Sequence, residues 1–376
     1  FLSIYWERVY GKLYYLRVGL RPVKYGLSFA VAIIVFFGLM FTFTQYEGVV
    51  KAFFDKQLVG EKEETMASKV SAFQSGAYLG VSLYQHNDID YLKSVQESVN
   101  KKFAIIGYYQ AWGVKENRFD KNWATNISNN GSIPLITWEP WEPIGSFDRS
   151  ESVVDQKQYH LKNITSGQYD DFIRQYAQDV KSYKKPVMIR FAHEMNGNWY
   201  PWGSTLNDPQ DYVLAWRHVH EIFDTTGAAN VTWVWSPNEA YIEAKVPKAD
   251  KIELFYPGDD YVDWVGFSSF NWGQNYKQNS WRAPENLYGY TVSKLEKFNK
   301  PIMITETASA ESRNNTLLKG VWIGQLSKYI EDNPQIRGIV WFDAEDNGVN
   351  WTIGTSQNSQ NSFRNSFGPY FFQGTQ

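Results

Sequence analysis

Between Arg190 and Gly203 the chain reads Arg190-Phe-Ala-His193-Glu194-Met-Asn196-Gly-Asn-Trp199-Tyr200-Pro-Trp202-Gly. The run Pro186–Ala192 ahead of the histidine is apolar and β-prone, and then the chain turns abruptly polar and aromatic. Parallel strands read as short apolar runs, and sites on α/β folds sit at their carboxyl ends. A carboxyl group there, beside an imidazole, an amide and large aromatic faces, suits an acid that delivers a proton to a flat, hydroxyl-rich ligand. The plainer alternative is a strand end capped by polar residues with the aromatics in the core. A second carboxylate has the same placement: Glu306 directly ends Pro301-Ile-Met-Ile-Thr305. A charge in that position is costly unless it is functional or paired, as in a salt-bridged rim carboxylate.

The unbroken runs His193-Glu194-Met-Asn196-Gly and Trp199-Tyr200-Pro-Trp202-Gly resemble the catalytic motif of glycoside hydrolase family 26, the β-mannanases and related β-glucanases and xylanases. The resemblance covers residues 71–355 and implies a (β/α)8 TIM barrel acting by a retaining, two-glutamate mechanism. It makes Glu194 the general acid/base and Glu306, after the seventh strand, the nucleophile. His193 takes the place of the residue that contacts the sugar beside the cleaved bond, or is a buried histidine satisfied by backbone. Asn196 would orient the 2-hydroxyl or the nucleophile. One departure stands out: Phe270, in Phe270-Asn-Trp-Gly273, occupies the position of a tyrosine that hydrogen-bonds the nucleophile. Other groups must then hold the nucleophile, or turnover is weakened.

Glycoside cleavage needs one carboxyl to protonate the leaving oxygen, and a retaining enzyme needs a second, roughly 5–5.5 Å away, to attack the anomeric carbon. Arg190 is spaced evenly from Glu194 along the strand, so both side chains would point into the barrel. It either depresses a carboxylate's pKa, contacts substrate or neutralises the interior. Trp199, Tyr200 and Trp202 offer a stacking wall, of which one or two can face a cleft. Trp138, Trp272 and Trp341 fall at the ends of strands three, six and eight, each either in the cleft or in the core. Glu139, Glu142, Asp343, Glu345 and Asp346 add carboxylates to the same rim. No metal-ligand spacing occurs among the 5 His, so neither a metal nor a cofactor is expected.

The elements that must carry these residues alternate. Strands are expected at 76–82, 103–109, 132–138, 186–192, 230–236, 263–268, 301–305 and 337–342, with helices near 88–101, 208–227, 284–298 and 317–332. An apolar stripe through Tyr169, Phe172, Ile173, Tyr176, Ala177 and Val180 marks a further helix. Eight strands alternating with helices favour a closed barrel over a doubly wound sheet, and no glycine-rich phosphate loop follows the first strand. The Asn/Ser/Gln-rich tail from Ser356 is compositionally biased.

A chain of 376 residues, 43% hydrophobic, can bury such a core, and 16 Trp are more than packing alone needs. The net charge of −3 gives no footing to nucleic acid, and the absence of cysteine excludes disulfides, thiol catalysis and thiolate metal sites.

Ahead of the 71–376 barrel domain, residues 1–24 carry Arg8, Lys12, Arg17, Arg21 and Lys24 against one acid, Glu7. Residues 25–44 follow without a charge, long enough as a helix to span roughly 30 Å of hydrocarbon. The run is too long for a signal-peptide core and no small-x-small site follows it, so a single membrane anchor is expected, with a cytoplasmic N-terminus and an extracytoplasmic domain. The chain opens on Phe1 rather than Met, leaving room for sequence upstream. Residues 45–70 read as a juxtamembrane spacer. The resulting expectation is a membrane-anchored endo-β-glycanase acting on a polysaccharide such as β-1,4-mannan or mixed-linkage β-glucan, placed where it would trim polymer exported by a neighbouring synthase. The competing class is a non-catalytic, synthase-associated polysaccharide-binding protein. Two glutamates at strand ends favour catalysis.

Overall fold

The computed structural model describes residues 69–84, 87–114, 117–143, 155–240, 249–274 and 281–374. The anchor at 25–44 and most of the spacer lie outside the described residues. No helix among the described residues is long and apolar enough to cross a membrane.

Eight parallel strands form the barrel: β1 (Ala77–Ser82), β2 (Ile105–Ala111), β3 (Ile133–Glu139), β4 (Val187–Phe191), β5 (Val231–Trp235), β6 (Trp264–Ser268), β7 (Ile302–Thr307) and β8 (Ile336–Phe342). Each pairs with its sequence neighbour, and β8 closes on β1 from Tyr78↔Gly338 to Ser82↔Phe342. All eight strands stand within a few residues of their expected places, because buried parallel strands are contiguous apolar runs that need no partner to be recognised.

The helices are α1 (Ile89–Val99), α2 (Lys121–Asn129), α3 (Leu161–Thr165), α4 (Asp170–Tyr183), α5 (Pro209–Thr226), α6 (Pro284–Leu295), α7 (Leu318–Asp332) and α8 (Gln357–Ser366). Asp88 caps α1 by accepting from the backbone of Asp90 and Tyr91. Pro209 opens α5, and Gly227 closes it at φ 80°.

Two cores result. The helices cover the outer face of the sheet. Inside the barrel, Tyr78, Ile105, Leu135, Met188, Val234, Trp264, Met303 and Val340 form a closed layer, with Val70 against it. These residues set the inward parity of their strands, since side chains alternate at period two. Gly266 shares that parity, and a Cβ there would lie 2.6 Å from Thr305 Cγ2, so the interior can close only around a glycine. Lys69 and Val70, on the spacer side of the expected boundary, are already part of the barrel. Val70 donates to Thr232 Oγ1 (2.7 Å) and accepts from Trp264 Nε1 (2.9 Å).

The biased tail is structured, contrary to its composition. Ser356 caps α8, and Phe363, Phe367 and Phe371 pack in succession, tilted and then edge to face, with ring centroids 4.6 and 4.9 Å apart. Strand β11 (Phe371–Phe372) then pairs with Ala77 and Tyr78 at the start of β1. A hairpin, β9 (Glu345–Asp346) with β10 (Val349–Asn350), precedes this tail. Three widely spaced phenylalanines among polar residues carry the burial, so average composition conceals it. Phe371→Ala should cost about 3 kcal/mol in urea unfolding, and an unchanged midpoint would show that β11 adds nothing to the barrel.

Candidate active site

The site stands at the carboxyl ends of β3, β4, β6 and β7. Strand β4 ends at Phe191, so the even spacing of Arg190 and Glu194 is not what brings them together. Ala192 and Glu194 instead adopt left-handed backbone, φ 43° and 55°, where side chains other than glycine are rarely held. Strain of this kind persists only where the surroundings over-determine it. Here the Ala192 amide donates to Trp138 O (3.0 Å) and the Glu194 amide to Ser236 O (2.8 Å), tying the turn to β3 and to the end of β5. The His193 carbonyl accepts from Trp202 Nε1 at 2.6 Å.

Glu194 is 3% exposed and its Oε2 accepts from Trp199 Nε1 at 2.8 Å. The indole of Trp199 lies over Gly197, where a Cβ would fall 2.6 Å from the ring, so this bond depends on the glycine. Glu306 is 4% exposed and leaves β7 at an irregularity, where register with β8 shifts between Ile304 and Thr307. The shift lets neighbouring residues both reach inward partners: Thr305 Oγ1 meets Ser236 Oγ (2.7 Å), and Glu306 Oε2 meets Arg190 Nη1 (2.8 Å). Ser268 Oγ donates to the same Oε2 at 3.3 Å. Oε1 of Glu306 is buried and accepts no hydrogen bond from the described residues. One oxygen is thus held and the other is unengaged.

Arg190 has no exposed surface, and burial lowers its pKa to about 10, with the charge of Glu194 the largest opposing influence. It therefore stays cationic at neutral pH. Burial, and secondarily the charge of Asp346, push the Glu306 carboxyl well above the usual range. The guanidinium at 2.8 Å works the other way. A buried guanidinium without its counterion is strongly unfavourable, so the pair keeps Glu306 ionised at neutral pH.

His193, Glu194 and Glu306 each place one ligand atom within 4.8 Å of the other two. Among the described residues this is the grouping whose spacing would suit a metal ion. Arg190 on Glu306 disfavours a cation there, since a guanidinium already neutralises that carboxylate. His193 is also 4.0 Å, Nδ1 to Oε1, from buried Glu139, which accepts from Trp141 Nε1.

Several expected ligand contacts are corrected by their surroundings. Arg190 cannot line the cleft, because its guanidinium is enclosed with Glu306, Ser268 and Thr137. Asn196 is a scaffold residue: its amide donates to Asn238 O and Ala249 O, both 3.0 Å, and its oxygen accepts from the Asn238 amide. Trp202 is fully buried, stacked on Tyr200 at 4.3 Å. Trp138 points outward between sheet and helices, against Phe172, Tyr176 and Phe223. Trp341 does likewise, against Trp322 and Phe363, with its indole donating to Trp351 O. Each of these two neighbours an inward residue, Glu139 or Phe342, so alternation sends it out.

Trp199 and Trp272 are half-buried and remain at the rim. Phe270 packs on Phe342 and Trp351, and Glu306 is held by Arg190 and Ser268 instead of a tyrosine. Ser268 and Thr137 were not singled out in the sequence, although the inward parity of β6 and β3 reaches both.

The fold is shared with solved structures. A mannanase of Bacillus subtilis superposes with a TM-score of 0.54 at 20% identity, covering 78% of this chain and 86% of that one. A β-mannanase of Bacteroides ovatus gives 0.57 at 17% identity, covering 80% and 90%. In sequence, Endoglucanase H of Acetivibrio thermocellus is 32% identical over 302 residues, 79% of this chain and 31% of that protein. A mannan endo-1,4-β-mannosidase of Bacillus subtilis is 28% identical over 191 residues, 47% of each. The chain thus spans less than half the length of these curated relatives. With residues 104–318 matching the model of Glycosyl hydrolase family 26, the chain belongs to that family.

Proposed function

We propose that this protein is a retaining endo-β-glycanase, and one observation carries the reading: two buried carboxylates, Glu194 and Glu306, with oxygens within 4.8 Å of each other. Inverting enzymes separate their carboxyls by roughly 6.5–9.5 Å to admit a water, whereas retaining ones hold them at roughly 5–5.5 Å. Glu306 Oε1 attacks the anomeric carbon as the glycosidic C–O bond breaks, and Glu194 gives its proton to the departing oxygen. Glu194 then takes a proton from water, whose oxygen displaces Glu306 and restores both carboxyls. Arg190 and Ser268 orient the nucleophile through Oε2, and Trp199 orients the acid.

The substrate class is a β-linked hexan. The relatives called an endoglucanase and mannan endo-1,4-β-mannosidases favour a β-glucan or β-1,4-mannan, and release from the β-1,3-xylan that other relatives are named for would replace this class while leaving the mechanism. The charge-free run at 25–44, with its basic amino-side flank, supports a single anchor that holds the catalytic domain outside the cell membrane. A polysaccharide synthase is the partner that this topology fits, and membrane co-purification yielding no glycosyltransferase would count against it. The reading itself is tested by reducing-end release from β-mannan, glucomannan, lichenan, β-1,3-xylan and cellulose, with proton NMR of the first product. Release with the β-anomer formed first supports it. An α-anomer, or no release from any polymer, overturns it.

A further inference from the structure

The parity that fills the barrel interior also decides what stands at its mouth. Tyr78, Ile105 and Val340 are inward residues of β1, β2 and β8. Counting upward in twos brings Tyr109 and Phe342 to the carboxyl rim of β2 and β8, and Tyr84 stands just past the end of β1 between them. Their rings touch in series: Tyr109 to Tyr84 at 4.9 Å, Tyr84 to Phe342 at 5.5 Å, and Phe342 to Phe270 at 5.6 Å. At its other end the series reaches the reacting centre, since Tyr109 lies 6.1 Å from the His193 ring. Next to this arc the mouth turns polar, with Glu139 on β3, paired beside Ala111 of β2, and Glu194 beyond β4.

Packing alone does not account for this arc. Trp138 and Trp341, which do serve packing, have no exposed surface, whereas Tyr84 and Tyr109 are half-buried at the rim. Two tyrosines meeting edge to face, at 80°, present ring surface and hydroxyls together. That combination matches a pyranose, whose axial C–H bonds make an apolar face bordered by hydroxyls.

We propose that Tyr84 and Tyr109 form a sugar-stacking subsite beside the cleaved bond, taking the apolar C–H face of a β-linked hexopyranosyl residue. This rests on the glycanase reading above. The subsite lies on the β8–β1–β2 flank, so the polymer crosses the mouth from this aromatic side to the polar side bearing Glu194. The ring faces supply binding, and the catalytic carboxylates are reached through His193.

The test uses the full chain carrying Glu306→Gln, with cellotetraose, mannotetraose and a mixed-linkage glucotetraose as calorimetric probes. Adding Tyr84→Ala or Tyr109→Ala should weaken binding of the preferred probe about 5- to 50-fold, while Tyr84→Phe and Tyr109→Phe stay within about threefold. In the chain with Glu306 intact, the alanine variants should raise KM by a similar factor with kcat changed less than about threefold. Alanine variants that bind like their parent overturn the subsite and leave the glycanase reading standing. Phenylalanine variants as weak as alanine overturn ring stacking in favour of the hydroxyls. A parent that binds none of the probes overturns both.

Discussion

Replacing Glu306 with Gln should lower kcat on the preferred polymer by about 10^4-fold or more, because no group remains to form the covalent intermediate. The amide keeps the size of the carboxylate and can still accept from Ser268 and Arg190, but the buried guanidinium loses its counterion, so the variant should also be destabilised by about 3–5 kcal/mol and its fold is checked by circular dichroism alongside the assay. Glu194→Gln should behave differently. General acid/base catalysis contributes about 10²- to 10⁴-fold, and its loss depends on how badly the leaving group needs a proton. On the polymer the loss should be near the upper end of that range. On a dinitrophenyl glycoside, whose leaving oxygen departs unprotonated, bond cleavage should be largely spared and the second, water-attack step should become limiting. An initial burst of dinitrophenolate from the Glu194 variant, absent from the Glu306 variant, is the expected signature. Equal losses on both substrates would sink the assignment of roles. Polymer activity retained in the Glu306 variant would remove it as nucleophile.

Arg190→Met carries the second large effect, and it should appear in both stability and pH dependence. Removing one partner of a buried pair costs about 3–5 kcal/mol, because the other charge is left without compensation. With the guanidinium gone, burial acts unopposed on the Glu306 carboxyl, and its proton is held to higher pH. The nucleophile works only when ionised, so the acid limb of kcat/KM should move upward and activity at low pH should be lost first. The stability sign follows from the same shift. A carboxyl whose folded pKa exceeds its unfolded value binds more protons when folded. Its contribution is therefore present at acid pH and declines as pH rises through the folded value. The gap in melting temperature between variant and parent should be smallest near pH 4–5, close to the ordinary carboxylate range, and widest at neutral pH. Arg190→Lys, which keeps a charge but not the fork, should fall between them. An acid limb that does not move would mean that Arg190 neutralises the barrel without acting on Glu306.

Much of the architecture was readable because the information is local. A buried parallel strand is an apolar run whatever its partner, and Pro209 or Gly227 marks a helix end through its own backbone preferences. For the same reason Glu194 and Glu306 were recognisable: each is a charge placed where an apolar run stops. The tail around Phe363, Phe367 and Phe371 was not, since its burial rests on three residues whose partners lie far off in the chain, in β1 and β8. Short α2 and α3 also left no mark in the periodicity, being too brief to repeat an apolar stripe.

Which face a strand residue takes separates the two kinds of information most clearly. Trp138 and Glu139 are adjacent, as are Trp341 and Phe342, so within each pair only one side chain can enter the barrel. The sequence alone determined that these positions lie at strand ends, that two carboxylates stand among them and that the chain alternates strand with helix. Tertiary structure decided that the tryptophans go out and Glu139 and Phe342 go in, because only closure of β8 on β1 defines an inside. It also decided the left-handed turn through Ala192 and Glu194, the irregular register of β7, and the 2.8 Å pairing of Arg190 with Glu306 across 116 positions of chain. Each of these depends on what a neighbouring strand presents, and no run of residues carries that information within itself.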